Sequence, residues 1–148
     1  ALVQDTEVAI AHVGDSRIYQ VNQYGDIVQL TVDHEVGQRE IAKGTPPEEA
    51  YQMSNAYQLT QALGPRKNEL VDPDIQYLDI QEDTLLVLCT DGLSDGGLLE
   101  ESGETYLTPL LQSKANLEKG VSELLEFANQ QHGHDNITAM VVQMKFRA

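Results

Sequence analysis

The sequence predicts an α+β sandwich, in which antiparallel sheets are covered by helices. Residues 1–31 alternate short apolar runs with polar turns, as antiparallel strands do. Residues 75–80 and 84–90 read as later strands, and residues after 116 carry one apolar face at helical spacing. The order along the chain is strands first, then small helices, then strands and helices interleaved. This order is typical of an α+β domain.

Four strands are expected in the amino-terminal part of the chain. The apolar runs 1–3 and 8–13 are separated by the polar residues 4–7, which is a hairpin signal. Residues 17–21 and 27–31 have the same strand character. The pattern predicts a single antiparallel meander.

Short helices are expected next. Residues 35–43 are compatible with a helix that Gly44 terminates. A second helix is expected to begin with Thr45 as its cap and Pro46 at its first position. Residues 59–63 form a short element before a Gly-Pro pair.

The carboxy-terminal part combines buried strands with one long helix. Residues 75–80 alternate like a half-buried strand, residues 84–90 (TLLVLCT) read as a fully buried one, and residues 137–146 form the last strand. Asn116 is expected to cap the helix. The apolar face of that helix consists of Leu117, Val121, Leu124, Leu125 and Ala128.

Composition narrows the class of partner. The chain has 148 residues, enough for one domain with a core. Nine basic residues against 24 acidic ones give a net charge of −15, which repels phosphate backbones and argues against nucleic acid. Such an acidic surface can bind divalent cations or basic partners, and it can equally be a solvated surface with no partner.

No apolar run has the length of a membrane span. The single cysteine, Cys89, excludes a disulfide framework and favours a cytoplasmic setting.

Three aspartates stand where an apolar strand meets a turn. Asp15 follows VAIAHVG, Asp91 follows TLLVLCT, and Asp135 precedes ITAMVV. Clustered carboxylates repel one another unless a cation lies between them, and Mg²⁺ or Mn²⁺ prefers such oxygen ligands. The alternative is turn chemistry alone, because Asp-Gly and Asp-Asn are common turn dipeptides.

Other side chains offer less chemistry. His34 is either a base or ligand, or a structural hydrogen-bonding group, whereas His12 is expected to be a satisfied core residue and Cys89 a buried, inert thiol. Ser16 and Ser94 have no adjacent base. Any chemistry on this chain is therefore expected to be metal chemistry.

Five ordered segments resemble the carboxy-terminal half of the bacterial metal-dependent protein phosphatases, the PPM or type-2C family. They are 11–19 (AHVGDSRIY), 30–34 (LTVDH), 59–64 (LTQALG), 88–95 (LCTDGLSD) and 133–138 (GHDNIT). The resemblance implies an αββα sandwich of two antiparallel sheets flanked by helices, with Mg²⁺ or Mn²⁺ in a cleft at one end. It also implies a phosphoprotein substrate, dephosphorylated at serine or threonine by a metal-activated water.

The resemblance assigns roles to particular residues. Asp91 and Asp135 would be ligands of a pair of ions, and Asp15 would share a third, weaker ion with Asp91. Residues 35–60 would form a flap that influences substrate choice, and this segment contains Gly44 and Thr45. Gln61 stands where the family has an arginine, which changes the polarity beside the flap.

The chain lacks the motifs of the amino-terminal half of that family, including its Asp-Gly metal motif. We therefore expect residues 1–148 to be a partial phosphatase domain, with weak metal binding, negligible activity alone, and dimerisation through exposed sheet edges. Two alternatives remain open at this point. One is a non-catalytic fragment or interaction module with the same fold, and the other is a phosphatase acting on an anti-sigma-factor antagonist.

Overall fold

The computed structural model describes residues 1–64, 71–133 and 135–146, which form two antiparallel sheets and a layer of helices. The first sheet has the order β1-β2-β5, where β1 is Leu2–Gln4, β2 is Glu7–His12 and β5 is Asp74–Asp79. The second has the order β4-β3-β6-β7. Its strands are β3 Arg17–Val21, β4 Ile27–Gln29, β6 Thr84–Cys89 and β7 Ala139–Met144.

The prediction of a single meander over residues 1–31 is wrong. β1 and β2 form one hairpin, β3 and β4 form another, and the two hairpins belong to different sheets. The chain crosses between the sheets through Gly14, whose φ of +107° is a conformation that favours glycine. An alternating pattern shows which face of a strand is buried, but it does not identify the neighbouring strand.

The two sheets pack face to face and bury an apolar layer between them. Val8 and Ile10 of β2, each at most 1% exposed, contact side chains of the second sheet. The partners include Ile18 of β3 and Leu86 of β6. This interdigitation is the sandwich core that the sequence predicts.

A helical layer covers the outer face of the second sheet. It consists mainly of α4 (Leu98–Tyr106) and α5 (Leu117–His132), which pack on Tyr19, Leu85 and Val87. The predicted cap of α5 is confirmed, because Asn116 Oδ1 accepts a hydrogen bond from the Lys119 N–H at 3.0 Å. The outer face of the first sheet is different: Leu2, Ile75 and Tyr77 are exposed there, and no helix of the described ranges covers them. The described layers are thus sheet, sheet and helix.

Three short helices lie near one end of the sandwich. They are α1 (Val36–Ala42), α2 (Pro47–Ala50) and α3 (Asp91–Ser94). The helix end at Gly44 is confirmed by its φ of +99°, but the predicted start of α2 is one residue early. Pro46 is the cap of α2 instead, because a residue that precedes a proline avoids the helical region.

Two further expectations concern the short element at residues 59–63 and the absence of a membrane-spanning segment. Residues 59–63 form neither a helix nor a regular strand, although Leu59 makes an isolated bridge to Glu35. Among the helices that the structure describes, none combines the length and apolar character needed to cross a bilayer.

Candidate metal centre

Strand register brings the three predicted aspartates to the same end of the second sheet. Cys89, the last residue of β6, pairs with Arg17 at the start of β3 and with Ala139 at the start of β7. Asp15 and Asp135 precede their strands, and Asp91 follows β6. Because these strands are antiparallel neighbours, all three aspartates lie beyond the same row of paired residues.

An acidic cleft of about 650 Å³ opens at this end of the fold. Asp15 and Asp91 both line it, and Arg17 is the one basic group among its described lining residues. The remaining carboxylates of the wall are Asp33, Glu35, Asp95 and Glu100.

Asp91 is the first residue of α3. Its Oδ1 accepts a hydrogen bond from the Gly92 N–H at 2.9 Å. Gly92 is buried, and a Cβ added there would lie 2.6 Å from the carbonyl oxygen of Asn136. Only glycine lets the Asp91 turn approach the Asn136 turn so closely.

Asp135 belongs to the neighbouring turn, which is pinned to the end of β6. Thr90 Oγ1 donates to the Asn136 carbonyl at 3.2 Å and accepts from the Thr138 N–H at 3.1 Å. Asp135 itself is exposed and is not among the residues that line the cleft. The structure therefore brings Asp15 and Asp91 into one wall and leaves Asp135 beside it.

The cleft carboxylates destabilise one another in the absence of a cation. Burial and then the charge of Asp33 raise the pKa of Glu35, with Asp15 as a further contributor. Burial and then the charge of Asp91 raise the pKa of Asp95, and Asp15 and Asp33 act in the same direction. Oxygen donors under mutual repulsion suit Mg²⁺ or Mn²⁺ in both charge and hardness.

The expected flap segment contributes two aromatic rings to the cleft. Tyr51 and Tyr57 line it, with ring centroids 5.3 Å apart. The Tyr51 hydroxyl donates to Glu35 Oε2 at 3.3 Å. Gly44 and Thr45 are not among the lining residues.

Gln61 also lies away from the lining of the cleft. Its Oε1 accepts a hydrogen bond from the Asp72 N–H at 2.9 Å. Gln61 follows the flap and Asp72 precedes β5, so this hydrogen bond connects the chain after the flap with the chain before β5.

Sequence reasoning missed several members of the cleft. Asp33 and Asp95 lie inside segments that resemble the phosphatase family. The sequence therefore gave a reason to consider them together with Asp15 and Asp91. Glu100, on the surface of α4, gave no local signal.

A second group of metal-ligating residue types lies nearby. Ligand atoms of His12, His34 and Asp74 all lie within 4.8 Å of one another. His12 is buried, yet neither ring nitrogen has a hydrogen-bond partner within the described residues, so the expectation of a satisfied core histidine is wrong. His34 Nδ1 accepts from the Gly14 N–H at 3.2 Å, which leaves the ring proton on Nε2, facing Asp74 Oδ2 at 3.2 Å. That proton stands where a metal would bind, so the geometry favours a structural His–Asp pair.

The cysteine is placed as expected. Cys89 is 5% exposed, and burial raises the pKa of its thiol to about 11. It is not a nucleophile at neutral pH.

Comparison with known proteins identifies relatives of this chain. Residues 1–141 match the family described as protein phosphatase 2C. The serine/threonine phosphatase stp of Listeria welshimeri is 32% identical over 144 residues, which cover 97% of this chain and 54% of the relative. The chain thus spans about half the length of the curated relatives it matches.

Solved structures give the same result. The serine/threonine phosphatase Stp1 from Staphylococcus aureus superposes with a TM-score of 0.77 at 30% identity, covering 97% of this chain and 54% of that one. The catalytic domain of the phosphatase PstP in complex with two manganese ions superposes with a TM-score of 0.68 at 29% identity, covering 96% and 55%.

Proposed function

Because the chain belongs to the protein phosphatase 2C family, we propose that its acidic cleft takes part in removing phosphate from phosphoserine and phosphothreonine in proteins. The observation that carries this proposal is the convergence of Asp15 and Asp91 in one cleft. Asp135 lies in a turn that Thr90 and Gly92 hold against the same site. The name phosphatase belongs to the relatives as whole proteins, and this chain spans about half of their length.

We propose that Asp91 and Asp135 hold a pair of divalent ions and that Asp15 shares a further ion with Asp91. Mg²⁺ and Mn²⁺ both suit this set of carboxylates, and the relative PstP binds manganese. Such ions supply an activated water and neutralise charge on the phosphoryl oxygens. The chain's own part is to fix Asp91 through the Gly92 N–H and to keep the buried Cys89 thiol protonated and out of the chemistry.

We further propose that residues 35–60 act as the flap beside the site. Tyr51 and Tyr57 already form part of the cleft wall. Gly44 and Thr45 would then govern how the segment moves, and Gln61 would anchor its far end to Asp72. The substrate is a phosphoprotein, and the net charge of −15 argues against nucleic acid.

A dimer through sheet edges also remains part of the proposal. β7 lies at the end of the second sheet and pairs only with β6 among the described strands. Met140 on β7 is 62% exposed, and an unpaired edge can accept a strand from a second copy. Sedimentation over a range of concentrations tests this, and a monomer at the highest concentration contradicts it. A cytoplasmic location stays a prediction from cysteine usage.

The activity test measures phosphate release from a phosphothreonine peptide by the protein that contains these residues. We expect release that depends on Mn²⁺ or Mg²⁺, stops with EDTA, and falls by at least about 100-fold in Asp91→Asn, since a ligand is removed. Glu118→Gln is the matched control, because it also neutralises one carboxylate but lies exposed on α5.

Two outcomes would contradict the proposal. One is phosphate release that continues unchanged in EDTA. The other is an Asp91→Asn variant as active as the Glu118→Gln control.

A further inference from the structure

We propose that Asp33 and His34 clamp the turn that carries Asp15, and thereby set the affinity of that end of the cleft for divalent cations. This inference rests on the proposed metal-binding role of the cleft. Asp15 lies between Gly14 and Arg17, and the clamp grips the chain at both of these residues. Asp33 and His34 are thus assigned as positioning residues, not as metal ligands.

The first arm of the clamp consists of the hydrogen bonds between His34 and Gly14. The His34 N–H donates to the Gly14 carbonyl at 2.8 Å, and the Gly14 N–H donates to His34 Nδ1 at 3.2 Å. The ring is fixed from its other side by Asp74, 3.2 Å from Nε2. These contacts satisfy both backbone groups of a residue held at a φ of +107°.

The second arm of the clamp is the hydrogen-bonded ion pair between Asp33 and Arg17. Arg17 Nε lies 3.0 Å and 2.9 Å from the two carboxylate oxygens of Asp33, and Nη2 donates to Oδ2 at 2.7 Å. Gln29 Nε2 also donates to Oδ1 at 3.2 Å. The Asp33 side chain is 4% exposed, so its charge is compensated by Arg17 and its oxygens are committed to these contacts.

Arg17 extends the clamp to the helix that begins with Asp91. Its Nη1 donates to the Ser94 carbonyl at 3.1 Å and to the Tyr19 hydroxyl at 3.3 Å. Ser94 is the last residue of α3. Arg17 therefore connects the Asp15 turn with the Asp91 helix, and its engaged nitrogens make it a cross-link instead of a phosphate-binding group.

Asp15, in contrast, is left free by this arrangement. Its carboxylate accepts no hydrogen bond from the described residues, while Gly14 and Arg17 are held by the contacts described above. A ligand held in place beforehand loses less conformational entropy when the ion binds. Residues that orient metal ligands typically contribute 10–100-fold to metal affinity.

The test measures the Kd for Mn²⁺ by electron paramagnetic resonance of free Mn²⁺ in titrations of the protein. His34→Leu removes the acceptor for the Gly14 N–H, and we expect the Kd to rise about 10-fold. His34→Asn keeps an acceptor, because Asn Oδ1 occupies the place of Nδ1, so we expect the Kd to rise by less than about 3-fold. This rescue is a result that a general loss of stability would not produce.

The second arm is tested by Arg17→Lys, with Lys119→Arg as its matched control. Both keep the positive charge, so the charge of the acidic cleft is preserved, but lysine lacks the guanidinium that bonds Asp33 and the Ser94 carbonyl together. Lys119 is exposed and, among the described residues, its ammonium pairs with Glu123 on the surface of α5. We expect weaker Mn²⁺ binding in Arg17→Lys and an unchanged Kd in Lys119→Arg, with folding verified by circular dichroism.

The outcomes separate this inference from the proposed function. A folded His34→Leu variant with wild-type Mn²⁺ affinity overturns the clamp alone. Equal weakening in His34→Leu and His34→Asn also overturns it. A wild-type protein that binds no Mn²⁺ overturns the metal cleft, and with it the proposed function.

Discussion

Replacement of Gly92 by alanine tests how the Asp91 and Asp135 turns are held together. The added Cβ would lie 2.6 Å from the Asn136 carbonyl oxygen, 3.2 Å from its carbon and 3.3 Å from Ile137 Cγ1. The nearest atom belongs to the backbone, so no flexible side chain can rotate away. The Asn136 carbonyl must retreat by at least about 0.4 Å to reach a separation of 3.0 Å.

The displacement has a cost in stability and in geometry. Overpacking costs about 1–3 kcal/mol, and the better helix propensity of alanine returns at most about 1 kcal/mol. We therefore expect the free energy of unfolding of Gly92→Ala to fall by about 1–2 kcal/mol. The same movement stretches the 3.2 Å hydrogen bond from Thr90 Oγ1 to the Asn136 carbonyl, so Asp135 moves and the Kd for Mn²⁺ rises about 10-fold.

Urea denaturation followed by circular dichroism gives the free energy of unfolding, and Mn²⁺ titration gives the Kd. Ser122→Ala is the control, since it introduces alanine at an exposed position of α5 and should change stability by no more than about 0.5 kcal/mol. A Gly92→Ala protein with wild-type stability and wild-type Mn²⁺ affinity would refute this account of the two turns.

Three further predictions concern single groups. Burial and the charge of Asp33 raise the pKa of Glu35 above its ordinary 4.5, so the metal-free protein loses stability as the pH rises from about 4.5 through that higher pKa. Glu35→Gln should therefore stabilise the protein in EDTA at pH 7 and not at pH 4, and an equal thermal shift at both values would contradict this. Asn116→Ala should cost about 1 kcal/mol in urea denaturation because the bond to the Lys119 N–H is lost, whereas unchanged stability would show that the cap contributes nothing. Cys89, with its thiol pKa raised to about 11, should react with a thiol reagent at pH 8 only after denaturation, and rapid labelling of the native protein would show that it is accessible.

Elements with a strong local pattern could be predicted from the sequence. The strand predicted at 84–90 corresponds to β6, and the helix capped by Asn116 is α5. Both depend on periodicity and capping, which a short window contains. Asp15 and Asp91 could be singled out from the sequence because their position at strand ends is itself a local feature, and their role as metal ligands stays a prediction.

Features set by distant residues could not be predicted. The crossing of the chain between the sheets after β2 depends on which strands pair, and β2 pairs with a strand more than 60 residues later. The ion pair of Arg17 with Asp33, and the orientation that makes His34 an acceptor, arise from the same tertiary arrangement. Single-sequence patterns identify the faces of strands, but not their partners.

Divalent cations are expected to bind in the cleft that contains Asp15 and Asp91. The most direct test is an anomalous difference map from crystals grown with Mn²⁺. Peaks are expected within coordination distance of Asp91 and of Asp15 or Asp135. A cleft without any peak, or a peak only among His12, His34 and Asp74, would contradict the metal-binding role of the cleft.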